Sequence, residues 1–207
     1  MSKVILTALA AGASLLAEYK LEPAGVPPAE VAAPVASLLQ KSGHRILGPD
    51  GKAYCEIWFV SQAPSGPQSS EVDLTWKTVP HGSVLGVISF AANGADRRGQ
   101  VLKPGVYTLR FSYFPLNGDH QGVAPQRDFL VLTPAADDQD AAAVSFDPLM
   151  KMSRKASGTP HPAVLSMWSV ESDFMPGLSE IGEGDVVLQT KIGEKQVAVV
   201  VKGVAPA

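Results

Sequence analysis

The chain has 207 residues, 45% hydrophobic and 18% charged, which is enough apolar material for one domain with a sizeable core. A formal net charge of −3 argues against a polyanionic partner, because phosphate binding needs clustered basic residues and the densest run holds only Lys151, Arg154 and Lys155. Nucleic-acid binding is therefore not expected, and 19 Gly with 17 Pro favour a turn-rich β protein over a helical one.

Residues 1–17 read as a signal peptide. Lys3 precedes an uncharged apolar run from Val4 to Ala17, the length of a signal hydrophobic region and too short to span a bilayer comfortably. Small residues offer cleavage after Ala13 or Ala17, so the mature chain is expected to start between Ser14 and Glu18. A buried N-terminal helix is the alternative. Nothing later resembles a transmembrane span, so the sequence predicts a secreted or periplasmic protein.

Residues 18–43 read as a Pro-rich extended segment and a short helix. Val31, Val35, Leu38 and Leu39 fall on one helical face, with Pro34 inside the window and Gly43 as the stop.

Residues 44–207 read as the β domain. Strands are expected at 45–47, at 53–60, at 72–76 where Val72, Leu74 and Trp76 alternate with polar residues, and at 84–90. Lys103-Pro104-Gly105 is turn chemistry. After it Tyr107, Leu109, Phe111 and Tyr113 take one face of a strand, and Thr108, Arg110 and Ser112 the other. Leu109 and Phe111 should be buried. Arg110 should point to solvent or to a polar partner, so losing it should cost far less than losing Leu109. The apolar run from Phe129 to Leu132 suits a strand covered on both sides. Residues 135–143, with Asp137, Asp138 and Asp140, suit a solvated loop. Asp147-Pro148 opens a helix that should stop near Ser157-Gly158. A strand at 164–170, an irregular stretch at 172–184 and a hairpin of 186–192 with 196–202 complete the chain. The fold class expected is all-β: a mainly antiparallel β-sandwich, or a small barrel, with one or two short helices.

The run Pro104-Gly105-Val106-Tyr107-Thr108-Leu109 resembles the Pro-Gly-x-Tyr-x-Leu turn and strand of secreted β-sandwich modules such as transthyretin-like and carboxypeptidase-regulatory-like domains. With its signal-like start and its Gly118-Asp119-His120-Gln121-Gly122 loop, the whole chain resembles a group of exported bacterial β-sandwich proteins. The resemblance implies fold class and export, and no particular activity.

Chemistry-bearing residues gather in loops, where sites on rigid β scaffolds are usually built. His81, Asp119, His120 and His161 are the candidate metal ligands, for zinc, copper or iron. Asp119, His120, His81 and Arg127 are the candidate ligand-binding set, centred on the loop 115–126, which should fold over one end of the sandwich. Asp96, Arg97 and Arg98 are expected to pair across that loop with Arg127 and Asp128, the alternative being an anion site built from the three arginines. The lone Cys55 is expected to be a buried, inert thiol. No nucleophile elbow, zinc-protease helix motif or phosphate-binding loop occurs. The expected function is an exported, non-enzymatic module that binds a protein or glycan of the cell envelope. The alternative is a metal-binding or metal-dependent enzyme using the loop histidines.

Overall fold

The computed structural model describes residues 18–114, 116, 127–182 and 184–204. The proposed signal segment 1–17 and the loop tip with Asp119 and His120 lie outside the described residues.

Alternating apolar segments build one large antiparallel sheet. Its strands are β1 (Lys20–Ala24), β2 (Gly43–Leu47), β3 (Ala53–Phe59), β4 (Val84–Phe90), β7 (Gly105–Tyr113), β8 (Asp128–Pro134), β9 (Val164–Ser169), β12 (Lys195–Lys202), β11 (Asp185–Ile192) and β10 (Gly177–Ile181), neighbours in that spatial order. A separate small hairpin joins β5 (Gly94–Ala95) to β6 (Val101–Leu102). The helices are α1 (Ala33–Ala36) and α2 (Phe146–Ser157). Among the described residues the chain adopts the expected all-β, mainly antiparallel class, with two short helices. One sheet curls until its end strands β1 and β10 approach, so the outline is that of a nearly closed barrel.

The two-residue period decides what goes inside. Ile57, Leu109, Phe111, Leu130, Leu188 and Val199 come from strands spread around the sheet and meet in one fully buried cluster. Cys55 belongs to it, and burial pushes its thiol pKa upward, as expected for an inert residue. The outer face is covered in part. Leu149 and Met150 of α2 lie on Phe129 and Val131 of β8, which explains why that strand is apolar on both sides. Helix α2 starts with Asp147 in its first turn and ends with Arg154 and Lys155 in its last, matching the helix dipole. Gly158 closes it in the left-handed region, φ 67°, its N–H bonded to the Arg154 carbonyl at 2.9 Å.

The outer face of β7 gives Arg110 the polar partner expected of it, but buries it more deeply than a half-buried strand would. Thr108, Arg110 and Ser112 point away from the core as the alternation requires, yet all three are fully buried. Residues 135–145 lie over them. Arg110 clamps Asp138 with two hydrogen bonds, Nε to Oδ2 at 2.7 Å and Nη2 to Oδ1 at 2.6 Å. Its other protons reach the carbonyls of Gly82 (2.6 Å), Ala142 (2.8 Å) and Asp140 (2.6 Å). The Thr108 and Thr133 hydroxyls also donate to Asp138. The expected solvated acidic loop is thus a strap pinned by one buried arginine. Burial pushes the Asp138 carboxyl upward, but the guanidinium and the two hydroxyls outweigh it and hold its pKa below the ordinary value.

Two further expectations fail locally. Residues 72–76 form no strand: Val72 is exposed, Asp73 has φ 58°, and Leu74 and Trp76 are buried by loop packing. The stretch 172–184 is not wholly irregular, because it contributes β10. The expected short helix forms, as the single turn α1 with Pro34 near its start, but of its predicted apolar face only Val31, Val35 and Leu39 are buried and Leu38 is exposed.

Candidate functional site

The candidates on described residues are each tied into their own surroundings. His81 sits in the turn before β4, its Nε2 3.0 Å from Ser112 Oγ and its ring edge-on to Tyr113 at 5.2 Å. Burial lowers its pKa, partly opposed by a hydrogen bond with the Val144 backbone. The pair resembles a serine–histidine dyad in distance alone, because Ser112 has no accessible surface on which to meet a substrate. His161 is exposed in the turn after α2, where its carbonyl accepts the Ser157 hydroxyl at 2.6 Å. Among the described residues no three His, Cys, Asp or Glu side chains converge as a metal site, and Asp119 and His120 lie outside them.

Arg127 is buried beside the start of β8. It donates Nη2 to Glu71 at 2.5 Å, Nε to the Phe114 carbonyl at 2.9 Å and Nη1 to the Val72 carbonyl, and its guanidinium lies 5.3 Å from the Tyr113 ring centroid. Asp128 accepts the N–H groups of Thr75 and Trp76, both at 3.0 Å. Arg97 pairs with Asp185 at 3.1 Å, and Arg98 with Asp96 at 3.8 Å. The expected pairing of Asp96, Arg97 and Arg98 with Arg127 and Asp128 does not form. Arg127 and Asp128 instead hold the segment 71–76, Arg97 ties the β5–β6 turn to β11, and Asp96 with Arg98 closes that turn internally, so the three arginines make no common anion site. A shallow hollow of about 290 Å³ lies beside Arg127, between Glu71, Tyr113, Leu116 and Phe146.

A larger cleft, of about 600 Å³, opens where the curled sheet fails to close. Glu18 and Tyr19 lead into β1 on one side, Leu178, Ser179 and Glu180 of β10 stand on the other, and Pro49, Gly184, Val186 and Lys202 form its end. The register explains the location. Lys20 pairs with Leu47 at one end of β1, and Glu180 with Val186 near the end of β10, so these residues share one rim of the barrel. At the opposite rim His44 of β2 and Thr190 of β11 share a 2.9 Å hydrogen bond across the seam. The seam is fastened at one end and splayed at the other. Mouths of β-barrels are common ligand sites, and this volume falls within the usual range.

Both walls of the cleft carry apolar surface and charge. Tyr19 and Leu178 pack on the main core, and Val186 is fully buried beneath them. The Lys202 ammonium lies 5.4 Å from the Tyr19 ring centroid, a cation–π contact. Among the described residues no carboxylate comes within 4.0 Å of it, and neither Glu18 nor Glu180 has a cationic partner. Sequence reasoning missed this site because its parts come from four distant stretches with no spacing rule between them.

Among the described residues no helix is long and apolar enough to cross a membrane. Compared with known proteins, the chain matches no family model, no curated protein and no solved structure.

Proposed function

We propose that the chain is an exported, non-enzymatic binding module for a protein or glycan of the cell envelope, and that it binds at the splayed mouth of its sheet. The observation that carries this reading is the cleft between β1 and β10, with Glu18, Glu180 and Lys202, none in an ion pair among the described residues, around an apolar floor. The polar residues elsewhere that looked like site candidates, His81 and Arg127, are spent on internal contacts. Export rests on the signal-like segment 1–17. Recovering the protein from its source cell with a start between Ser14 and Glu18 supports export; soluble cytoplasmic protein with Met1 or Ser2 intact overturns it.

Binding is tested by screening the mature chain against envelope glycans and displayed peptides beside the Glu180→Trp variant, which fills the mouth from an exposed position. A ligand that binds the wild type and is lost in the variant, with melting unchanged, supports the reading. Ligands indifferent to the variant refute it. Metal analysis of protein purified without chelators checks the rival. Stoichiometric zinc, copper or iron, lost in His120→Ala, would replace the binding module with a metal centre.

A further inference from the structure

The mouth cleft combines three kinds of recognition, and together they specify the ligand more narrowly than its volume does. The first is backbone. β1 and β10 are the end strands of the sheet, hydrogen-bonded to β2 and β11 only, so each carries an unused row of N–H and C=O groups toward the cleft. The two edges are not equivalent. β1 carries Pro23, which has no N–H, together with the charged Lys20 and Glu22, the usual guards of an exposed edge. β10, with the sequence Gly-Leu-Ser-Glu-Ile, has no proline, and its Leu178, Ser179 and Glu180 line the cleft directly. The second is charge: one ammonium and two carboxylates, none neutralised among the described residues. The third is the apolar floor of Tyr19, Leu178 and Val186.

We infer that the ligand is the extended C-terminal end of a basic peptide, which adds to the free edge of β10 and enters the mouth with its terminal carboxylate toward Lys202. This deepens the binding-module reading and rests on it. A sugar would use the polar groups but leave the strand edge idle. An anionic lipid would satisfy Lys202 while facing Glu18 and Glu180. Only a peptide end uses all three features. Its carboxylate meets the ammonium held over Tyr19, a Lys or Arg side chain meets the carboxylates, and apolar side chains at alternate positions reach the floor.

The probe is a randomised hexapeptide library with free C-terminal carboxylates, panned against the mature chain and sequenced. The expected result is enrichment of peptides carrying Lys or Arg beside alternating apolar residues. C-terminal amidation, or the variant Lys202→Met, should weaken the enriched peptides about tenfold, the size of one lost charge-assisted hydrogen bond. Glu180→Lys should replace basic residues with acidic ones among the winners. A proline substitution, Ser179→Pro, should abolish binding while thermal melting reports that the fold survives. Enrichment that ignores amidation and Lys202→Met overturns the inference. If no peptide is enriched but a glycan binder is lost in Glu180→Trp, the peptide assignment falls and the mouth remains the site. If neither class gives a binder that depends on the mouth, both readings fall.

Discussion

Arg110 shows how one residue can obey its pattern and still confound the expectation drawn from it. Its side chain lies on the predicted outer face, but the strap 135–145 converts that face into a second interior. Removing one member of a buried pair leaves the other charge uncompensated, so Arg110→Ala is expected to cost about 3–5 kcal/mol. Leu109→Ala in the core should cost about 2–5 kcal/mol. Urea unfolding of both variants checks this, and an Arg110→Ala loss near zero would mean that the strap does not pack as described. The histidines give a pH dependence of known sign. Burial lowers the pKa of both His44 and His81 below 6.5, so the unfolded chain binds more protons than the folded one just below that pH. Stability should be full above pH 6.5 and fall as the solution is acidified through the lowered values. Asp138 acts in a lower window. Its pKa is held below 3.8, so its contribution persists until the pH drops beneath the ordinary carboxylate range. Melting temperatures from pH 8 to pH 3 should therefore fall in two stages, the first shrinking in His44→Gln and His81→Gln.

At the level of elements, the turn before β4 is the most constrained. Gly82 has φ 77°, and a Cβ there would lie 1.8 Å from the Val144 carbonyl oxygen. Its own carbonyl accepts Arg110, so the turn, the strap and β7 meet at one residue. Gly82→Ala should destabilise by well over the ~1 kcal/mol typical of a glycine replacement. Gly25→Ala, with nothing within 4 Å of the added atom, should change the urea midpoint little. Strands β2, β3, β4, β7, β8, β9, β11 and β12 were legible because alternation or a short apolar run records a core on one side or both. β10 was not, since Gly177, Ser179 and Glu180 read as loop and its pairing with β11 is written in the partner. The stretch 72–76 misled for the converse reason. Leu74 and Trp76 alternate because a loop tucks two side chains inward, with Asp128 holding its N–H groups from another strand. Period two reports burial, and burial does not require a ladder.

For the whole molecule, the unclosed seam sets where local stability is lowest. β7 and β8 lie in the middle of the sheet with neighbours on both sides, whereas β1 and β10 each have one. Amide hydrogen exchange should be slowest in β7 and β8 and fastest in β1 and β10. Protection of β10 equal to that of β8 would mean that the seam is closed in solution and the mouth has no free edge. Class and strand content could be read from the sequence, but the mouth could not. Glu18, Pro49, Leu178 and Lys202 come to line one cleft only when ten strands have curled far enough to bring the first and last together.

The number of those strands has a consequence of its own. Every neighbouring pair in the large sheet is antiparallel, so with an even count the two end strands run in opposite directions. The ring could zip shut on itself without a single parallel pair. A guest strand makes the count odd, and must run with one neighbour and against the other. Either orientation makes one antiparallel pair and one slightly weaker parallel pair, so what separates the two is which edge, the Pro23-bearing β1 or the proline-free β10, takes the antiparallel one. Any directional preference of the gap therefore comes from the unlike chemistry of its two edges, not from its strand count.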